Sequence, residues 1–472
     1  MKRNEEELKD GETQTKKQRT TVIDMFSLDD DEDGVDVDGS AVVGAGAVAA
    51  GPSAAAGVLE GHEAFDDEEG YYKFSIGDVL GGRYRVARTL GRGVFGSVLE
   101  CTDARAAPGS DARVAIKVAR ANDTMRKAGQ REVAVLRQLA DAAKDSSSSS
   151  SSGKTGTSGT TTTTTSTSGG RTHCVELRDA FDFRGHMCIV LEHMDVNLRQ
   201  LLAQYGRNVG ISLGAVRLYA QQLFAALRHI HRCGLVHADI KLDNILVSAT
   251  RTSIKVCDFG TAFEPAAAGA APTPYLASRF YRAPEAVLGI PCDGGVDVWA
   301  AACCLAELYT GRVLFPGASN NGMLRLFCEL CGAFPKRVLR RAPLRADHFD
   351  DSFRFLWRDV DSSTKPPRVT IRTLVFPTPN STSNDAVSSS SSSSSTGGSS
   401  GGGSSTGGNN SNYFCCRTMM SVLCPTPGDM PASATDRVLL QQLKDLLIKC
   451  LCLDNTRRLT AAAALKHPFC TM

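Results

Sequence analysis

No stretch of this 472-residue chain approaches the ~20 consecutive apolar residues that a bilayer-spanning helix needs. The longest apolar stretches, at 41–51 and 298–309, are Ala/Gly-rich or broken by charge. An excess of charge of one sign is also missing. There are 53 Lys+Arg against 51 Asp+Glu, a formal charge of +2. Coating a polyanion draws on many Lys/Arg–phosphate contacts, so that role is not expected, although a local basic patch stays open. The first residues, MKRNEEELKD, hold no apolar h-region, so no secretory signal is expected and the chain reads as soluble and intracellular. Its 16 cysteines are then expected to be mostly free thiols. Zinc-site spacing is lacking as well. Cys328 and Cys331 form one C-x-x-C, but neither a second such pair nor H-x-x-x-H follows at the right distance. Their surroundings, NGMLRLFCELCGAF, read as a helix ending at Gly332 with buried thiols.

What is abundant is low-complexity sequence. Two Ser/Thr/Gly/Asn tracts, about 146–170 and 384–412, cannot bury enough apolar surface to offset the entropy of ordering them. Residues 1–70 read as a disordered tail with basic clusters, an acidic run and an Ala/Gly-rich stretch. Lys2-Arg3 and Lys16-Lys17-Gln18-Arg19, twelve residues apart, resemble a bipartite nuclear import signal. The stretch Ile23-Asp24-Met25-Phe26-Ser27-Leu28 is a weak docking-peptide signal. Folded sequence is expected over 71–472, interrupted by the two tracts. Strands are expected at 84–90, 97–102, 113–120, 175–177 and 187–191. Asp123 is expected to cap a helix running through Glu132 to Leu139. Ser212 is expected to cap a second helix, with Val216, Tyr219, Leu223, Leu227 and Ile230 at helical spacing and Gly234 at its end. Beyond this the chain reads as mainly helical. Strands first and helices after predict an α+β body with two lobes.

The glycine-rich stretch Gly91-Arg92-Gly93-Val94-Phe95-Gly96-Ser97-Val98 fits G-x-G-x-x-G-x-V. Alone this is weak, because a Gly-rich hairpin turn has the same composition. A dinucleotide loop would lead into a helix; here Ser97-Val98-Leu99-Glu100-Cys101 continues as strand. Glycines on a strand–turn–strand let backbone N–H groups approach phosphates. Next comes Val114-Ala115-Ile116-Lys117. A lysine flanked by apolar residues needs an anionic partner. Glu132 on the following helix can supply one, and ATP phosphates others. A purely structural ion pair stays open from these residues alone.

The strongest signal is His237-Ala238-Asp239-Ile240-Lys241-Leu242-Asp243-Asn244, followed by Asp258-Phe259-Gly260. Here the sequence resembles the eukaryotic protein kinases, whose catalytic loop is H-x-D-x-K-x-x-N and whose metal motif is D-F-G. The resemblance implies a bilobal fold with a small β-rich N-lobe and a large helical C-lobe. It implies that Asp239 orients the substrate hydroxyl and accepts its proton, that Lys241 neutralises γ-phosphate charge, and that Asn244 and Asp258 hold Mg²⁺. It casts Ala283-Pro284-Glu285 as the end of the activation segment, Asp297 as a helix anchor and Arg458 as the partner of Glu285. Adenine would lie against Leu90, Val98, Ala115 and Leu246, with Leu191 at the gatekeeper position and Glu192, His193 and Met194 in the hinge. Gly91, Gly93, Gly96, Lys117 and Glu132 complete the expected nucleotide site. Ala238 stands where the family's arginine usually grips an activation-loop phosphate, and Leu242 stands in place of proline.

Within that family the chain resembles the CMGC group, and there the pre-mRNA-processing, Prp-four type of splicing kinase. The carrying residues are those of the catalytic loop and D-F-G, Thr273-Pro274-Tyr275-Leu276, Ser278-Arg279-Phe280-Tyr281-Arg282, Leu314-Phe315-Pro316-Gly317 with Asn320-Asn321, Val196-Asn197-Leu198-Arg199, and Asp347-His348-Phe349-Asp350. The resemblance implies a nuclear, ATP- and Mg²⁺-dependent Ser/Thr kinase acting on spliceosome proteins, monomeric, without membrane attachment or direct sequence-specific nucleic-acid binding. The alternatives are a dual-specificity or Clk-like kinase, or a pseudokinase scaffold. Against the last, Lys117, Asp239 and Asp258 are all present. Tyr275 is expected to be autophosphorylated, with Arg279 and Arg282 gripping the phosphate.

Overall fold

The computed structural model describes residues 65–148, 172–265, 277–361, 368–376 and 417–471. The expected import signal, the Ser-rich tracts beyond residue 148 and the segment 273–276 lie outside them. The chain forms two compact units, one up to Leu198 together with Asp243–Ala262, the other Arg199–Leu242 together with the described residues from Phe263 on.

The first unit is built on strands β1 (Val79–Leu80), β2 (Tyr84–Gly93), β3 (Gly96–Asp103), β4 (Arg113–Ala119), β5 (Leu177–Phe183) and β6 (His186–Glu192). They form one antiparallel sheet in the order β1-β2-β3-β4-β6-β5. Alternation fixes its faces. Leu99, Ile116 and Val190 are in register and fully buried on one face. With Leu80, Tyr84, Cys101 and Cys188 they make the core of this unit. Helix α1 (Asp123–Ser148) runs nine residues past the expected Leu139. Its cap is Asn122, whose Oδ1 accepts the Met125 N–H at 2.9 Å, so Asp123 is its first residue and not the cap. The expected strand at 175–177 is displaced: β5 begins at Leu177, while Cys174 makes only an isolated bridge to Val256. A small sheet of β7 (Val196–Asn197), β8 (Ile245–Val247) and β9 (Ile254–Val256) also belongs to this unit.

The second unit is mainly helical. It holds most of α2 (Leu198–Tyr205), then α3 (Leu213–Arg232), α4 (Pro284–Val287), α5 (Gly295–Thr310), α6 (Asn320–Cys331), α7 (Lys336–Arg340), α8 (Met419–Leu423), α9 (Ala434–Cys450) and α10 (Ala461–Ala464). Ser212 caps α3 through the Ala215 N–H, and Val216, Tyr219, Leu223, Leu227 and Ile230 form its buried stripe. Trp299 of α5 is fully buried, stacked on Phe315 and edge-on to Phe327. Cys328 and Cys331 lie on α6, which ends at Gly332. Every cysteine among the described residues is a free thiol.

A two-stranded hairpin, β10 (Phe355–Asp361) and β11 (Arg368–Leu374), interrupts the helical half that the sequence suggested. Asn321 of α6 holds it: its Oδ1 accepts the Arg358 N–H at 3.0 Å and its Nδ2 donates to the Leu356 carbonyl at 3.0 Å. The same Nδ2 lies 3.1 Å from His348 Nδ1, so that ring nitrogen is the acceptor and the imidazole is neutral. Burial pushes the His348 pKa down to about 4 from 6.5. A base with a depressed folded pKa gives stability that is complete above pH 6.5 and is lost as pH falls towards 4, because the unfolded chain takes up the proton first. Unfolding free energies from denaturant titrations at pH 7 and pH 5 should fall in the wild type by on the order of 1–2 kcal/mol more than in His348→Gln. Parallel pH dependences would refute this.

Candidate active site

The first unit carries the glycine turn. Gly93 and Gly96 pair across it. Gly96 has no alternative, since a Cβ there would stand 2.0 Å from the Val118 carbonyl oxygen. A Cβ on Gly91 or Gly93 would meet nothing within 4 Å, so packing does not demand glycine there. Their bareness instead leaves the backbone open to a ligand.

Register places the expected nucleotide residues. Val98, Lys117 and Ile189 lie opposite one another across β3, β4 and β6, as do Glu100, Ala115 and Leu191. By alternation these six sit on the face of the sheet away from Leu99, Ile116 and Val190. Leu90 is on β2, Leu246 on β8, and Met194 follows β6; all three are half-buried. The expected hinge is tied by its polar side chains: Glu192 accepts from Lys255 at 2.5 Å and from the Glu176 N–H at 2.8 Å, and His193 Nε2 lies 3.1 Å from Glu100.

Lys117 Nζ is 2.9 Å from Glu132 Oε2 and 2.7 Å from Asp258 Oδ1. Burial alone would lower its pKa, but the Asp258 and Glu132 carboxylates more than reverse this, and the ammonium is held charged. The other Glu132 oxygen accepts the Phe259 N–H at 3.3 Å. Asp258 has φ +62°, a left-handed conformation uncommon outside glycine. The Cys257 N–H donates to the Asn244 carbonyl at 3.0 Å, which sets the Asn244 and Asp258 segments side by side. Both side chains offer oxygen, the hard donor that Mg²⁺ prefers. Two protein ligands are also what Mg²⁺ commonly takes when substrate phosphates supply others. The donor set therefore fits the ion. Among the described residues, no group of three or more His, Cys, Asp or Glu side chains could hold a metal.

The second unit carries the loop at His237. Asp297 of α5, almost fully buried, accepts the His237 N–H at 2.9 Å, the Ala238 N–H at 2.8 Å and His231 Nε2 at 2.9 Å. Burial opposes its charge, yet these partners hold its pKa below the usual carboxylate value. They also fix Ala238 at φ +68°, which a non-glycine residue rarely adopts. Asp239 follows. Its Oδ1 accepts from Ser278 Oγ at 2.9 Å and from the Ser278 N–H at 3.2 Å, and its Oδ2 lies 3.1 Å from Lys241 Nζ. Lys241 also donates to Ser278 Oγ at 3.1 Å. Ser278, which the sequence marks only as the start of Ser278-Arg279-Phe280-Tyr281-Arg282, thus joins Asp239 and Lys241. His231, six residues before His237, has no motif signal of its own.

Tyr275 lies outside the described residues. Arg282, expected to grip its phosphate, is buried and donates to Asn320 Oδ1 at 2.8 Å and to the Ala277 carbonyl at 2.9 Å. Arg279 is half-buried. Tyr281 donates to Glu307 at 2.7 Å, and Arg199 bridges both at 2.5 Å. Leu242 is fully buried and opens a 3-10 turn, Leu242–Asn244.

A Protein kinase domain family profile matches residues 163–470, beginning after the glycine turn and Lys117. Serine/threonine-protein kinase prpf4B of Dictyostelium discoideum is 34% identical over 405 residues, covering 86% of this chain and 41% of that protein. Serine/threonine-protein kinase prp4 of Schizosaccharomyces pombe is 35% identical over 406 residues, covering 86% of this chain and 70% of that protein. Dual specificity tyrosine-phosphorylation-regulated kinase 4 of Homo sapiens is 32% identical over 289 residues, 61% of this chain and 49% of that protein. The chain belongs to the protein kinase family. Within it, the chain is of the CMGC group and the Prp-four type, and it spans less than half the length of the Dictyostelium relative. No described helix is long and apolar enough to cross a membrane.

Proposed function

We propose that this kinase transfers the γ-phosphoryl of ATP to serine or threonine residues of pre-mRNA splicing proteins in the nucleus. The observation that carries the catalytic part is Lys117 held between Glu132 and Asp258, an arrangement a pseudokinase has no need to keep. On this reading Gly91, Gly93 and Gly96 present backbone N–H groups to the phosphates, and Lys117 orients them. Leu90, Val98, Ala115, Leu191 and Leu246 receive the adenine, and Glu192 and Met194 offer it backbone groups. Asn244 and Asp258 would hold Mg²⁺, which neutralises phosphate charge when bound. Asp239 receives the proton of the acceptor hydroxyl, and Lys241 faces the transferred phosphoryl group. Little covalent work is left to the protein, so positioning and charge carry the rate.

The splicing and nuclear parts rest on the likeness to the Prp-four type relatives and on the basic clusters before residue 20. They are tested together. The purified kinase and its Lys117→Ala variant are incubated with ATP in a nuclear extract, and new phosphosites are identified. Splicing proteins labelled by the wild type alone are the expected result; wild-type labelling confined to unrelated proteins would overturn it. Replacing Lys16, Lys17 and Arg19 by alanine should shift a fluorescent fusion towards the cytoplasm. An unchanged nuclear signal would refute the assignment of the import signal.

A further inference from the structure

Residues 65–74, FDDEEGYYKF, were expected to be largely tail. They form instead a short strap packed within the first unit. Its base is anchored in the core. Asp66 Oδ1 lies 2.7 Å from Nε2 of His186, a fully buried ring whose Nδ1 is 2.7 Å from the Ala119 carbonyl. Both ring nitrogens are thus partnered. The Lys73 N–H donates to the Phe65 carbonyl at 2.8 Å and closes the strap on itself. Tyr72 packs edge-on to Phe183 and His186. Asp67 Oδ1 accepts the Glu69 and Tyr71 N–H groups, which tightens the bend.

The outer side of the strap meets the glycine turn. Tyr71, almost fully buried, donates its hydroxyl to the Gly93 carbonyl at 2.9 Å. The Arg92 guanidinium lies over its ring at 3.7 Å and that of Arg120 at 4.8 Å. Arg92 also reaches Asp67 at 2.8 Å. Arg120 donates through Nε to the Glu69 carbonyl at 2.7 Å, and the Ala121 N–H donates to the Gly70 carbonyl at 2.8 Å. The Arg120 N–H in turn donates to the Phe95 carbonyl at 3.0 Å, at the tip of the turn. Both sides of the turn are therefore tied to one tyrosine and its two arginines. A glycine-rich turn left free would spread over many conformations, and a ligand would bear the cost of ordering it.

We infer that Tyr71 is a positioning residue for the nucleotide: through Gly93 it holds the glycine turn in its phosphate-receiving form. This rests on the assignment of that turn to ATP made above. Tyr71→Phe in the full-length chain keeps the ring between the two arginines and removes only the hydroxyl. Losing one hydrogen bond of ordinary net strength predicts a rise of about fivefold in KM for ATP and in the dissociation constant of a fluorescent ATP analogue. The kcat at saturating ATP should stay within about twofold, because the interaction is lost equally from ground and transition states. Asp66→Asn, which weakens the anchor far from the turn, should move KM for ATP in the same direction. Amide hydrogen exchange over 91–98 should quicken in both variants. A lower melting temperature with KM for ATP unchanged in both would make the strap merely structural and overturn the inference. If the wild type itself fails to bind the analogue, the ATP assignment falls and this inference with it. If the wild type binds and both variants bind equally well, the strap inference alone falls.

Discussion

Asp239→Asn is expected to lower kcat by about 10²–10⁴-fold, the usual contribution of a positioned general base, while the affinity for ATP changes little. The separation follows from where the groups lie. Asp239, Lys241 and Ser278 make their contacts to one another within the second unit, whereas Lys117, Glu132 and Asp258 make theirs within the first. Asparagine is nearly isosteric and keeps one oxygen for the Ser278 hydroxyl. It cannot take a proton, and its amide would face the Lys241 ammonium with a second donor. Lys117→Ala should differ in kind. It leaves the buried Glu132 carboxylate and the partly exposed Asp258 carboxylate with no cation between them, so ATP binding should weaken as well as turnover. Rates on a peptide substrate, beside direct ATP titrations, distinguish the two. Turnover of Asp239→Asn within tenfold of wild type would exclude Asp239 as the base.

Much of this was legible in the chain because it is local. The glycines, Lys117, Asp239, Asn244 and Asp258 announce themselves by type and spacing, and β2, β3, β4 and α3 by pattern. What was hidden depends on partners distant in sequence. The segment before Tyr71 is acidic and reads as solvated tail, but Asp66 is matched to a buried histidine 120 residues away. Strand β5, LRDAFDF, is a poor strand by composition. Its charges serve tertiary bonds: Asp179 accepts the Tyr84 hydroxyl at 2.9 Å and lies 3.3 Å from Arg83. Asn122 and Asp123 are both good caps, and only the Met125 hydrogen bond decides between them. Ser278 lies in the stretch Ser278-Arg279-Phe280-Tyr281-Arg282 that carries the family likeness, but its link to the catalytic loop does not show there, because the two residues it meets are about 40 positions earlier.

The second large effect is on stability. Arg458→Ala should destabilise the fold by roughly 3–5 kcal/mol, the range for removing one partner of a buried ion pair. Arg458 and Glu285 have side-chain exposures of 1% and 2%. They meet as a fork, Nη1 to Oε1 at 2.5 Å and Nη2 to Oε2 at 2.8 Å. The remaining donors are used too, on the Gly295 carbonyl at 2.9 Å and the Cys452 carbonyl at 3.0 and 3.1 Å, and the guanidinium lies 5.1 Å from the Trp299 ring. Alanine strands the Glu285 carboxylate in the interior and removes the guanidinium donors that those carbonyls accept. Lysine restores the charge but not the fork, so Arg458→Lys should recover only part of the loss. Arg458→Met with Glu285→Leu removes both charges and should be more stable than Arg458→Ala, because no ion is then left alone. Glu285 sits in α4, seven residues after Ser278. Loosening it should therefore also reduce kcat, through the segment that carries Ser278 to Asp239. Urea midpoints and peptide-kinase rates on the four proteins test both links. An Arg458→Ala protein with wild-type stability would show the pair to be dispensable. One that is unstable yet fully active below its melting transition would uncouple the pair from the Ser278 contact.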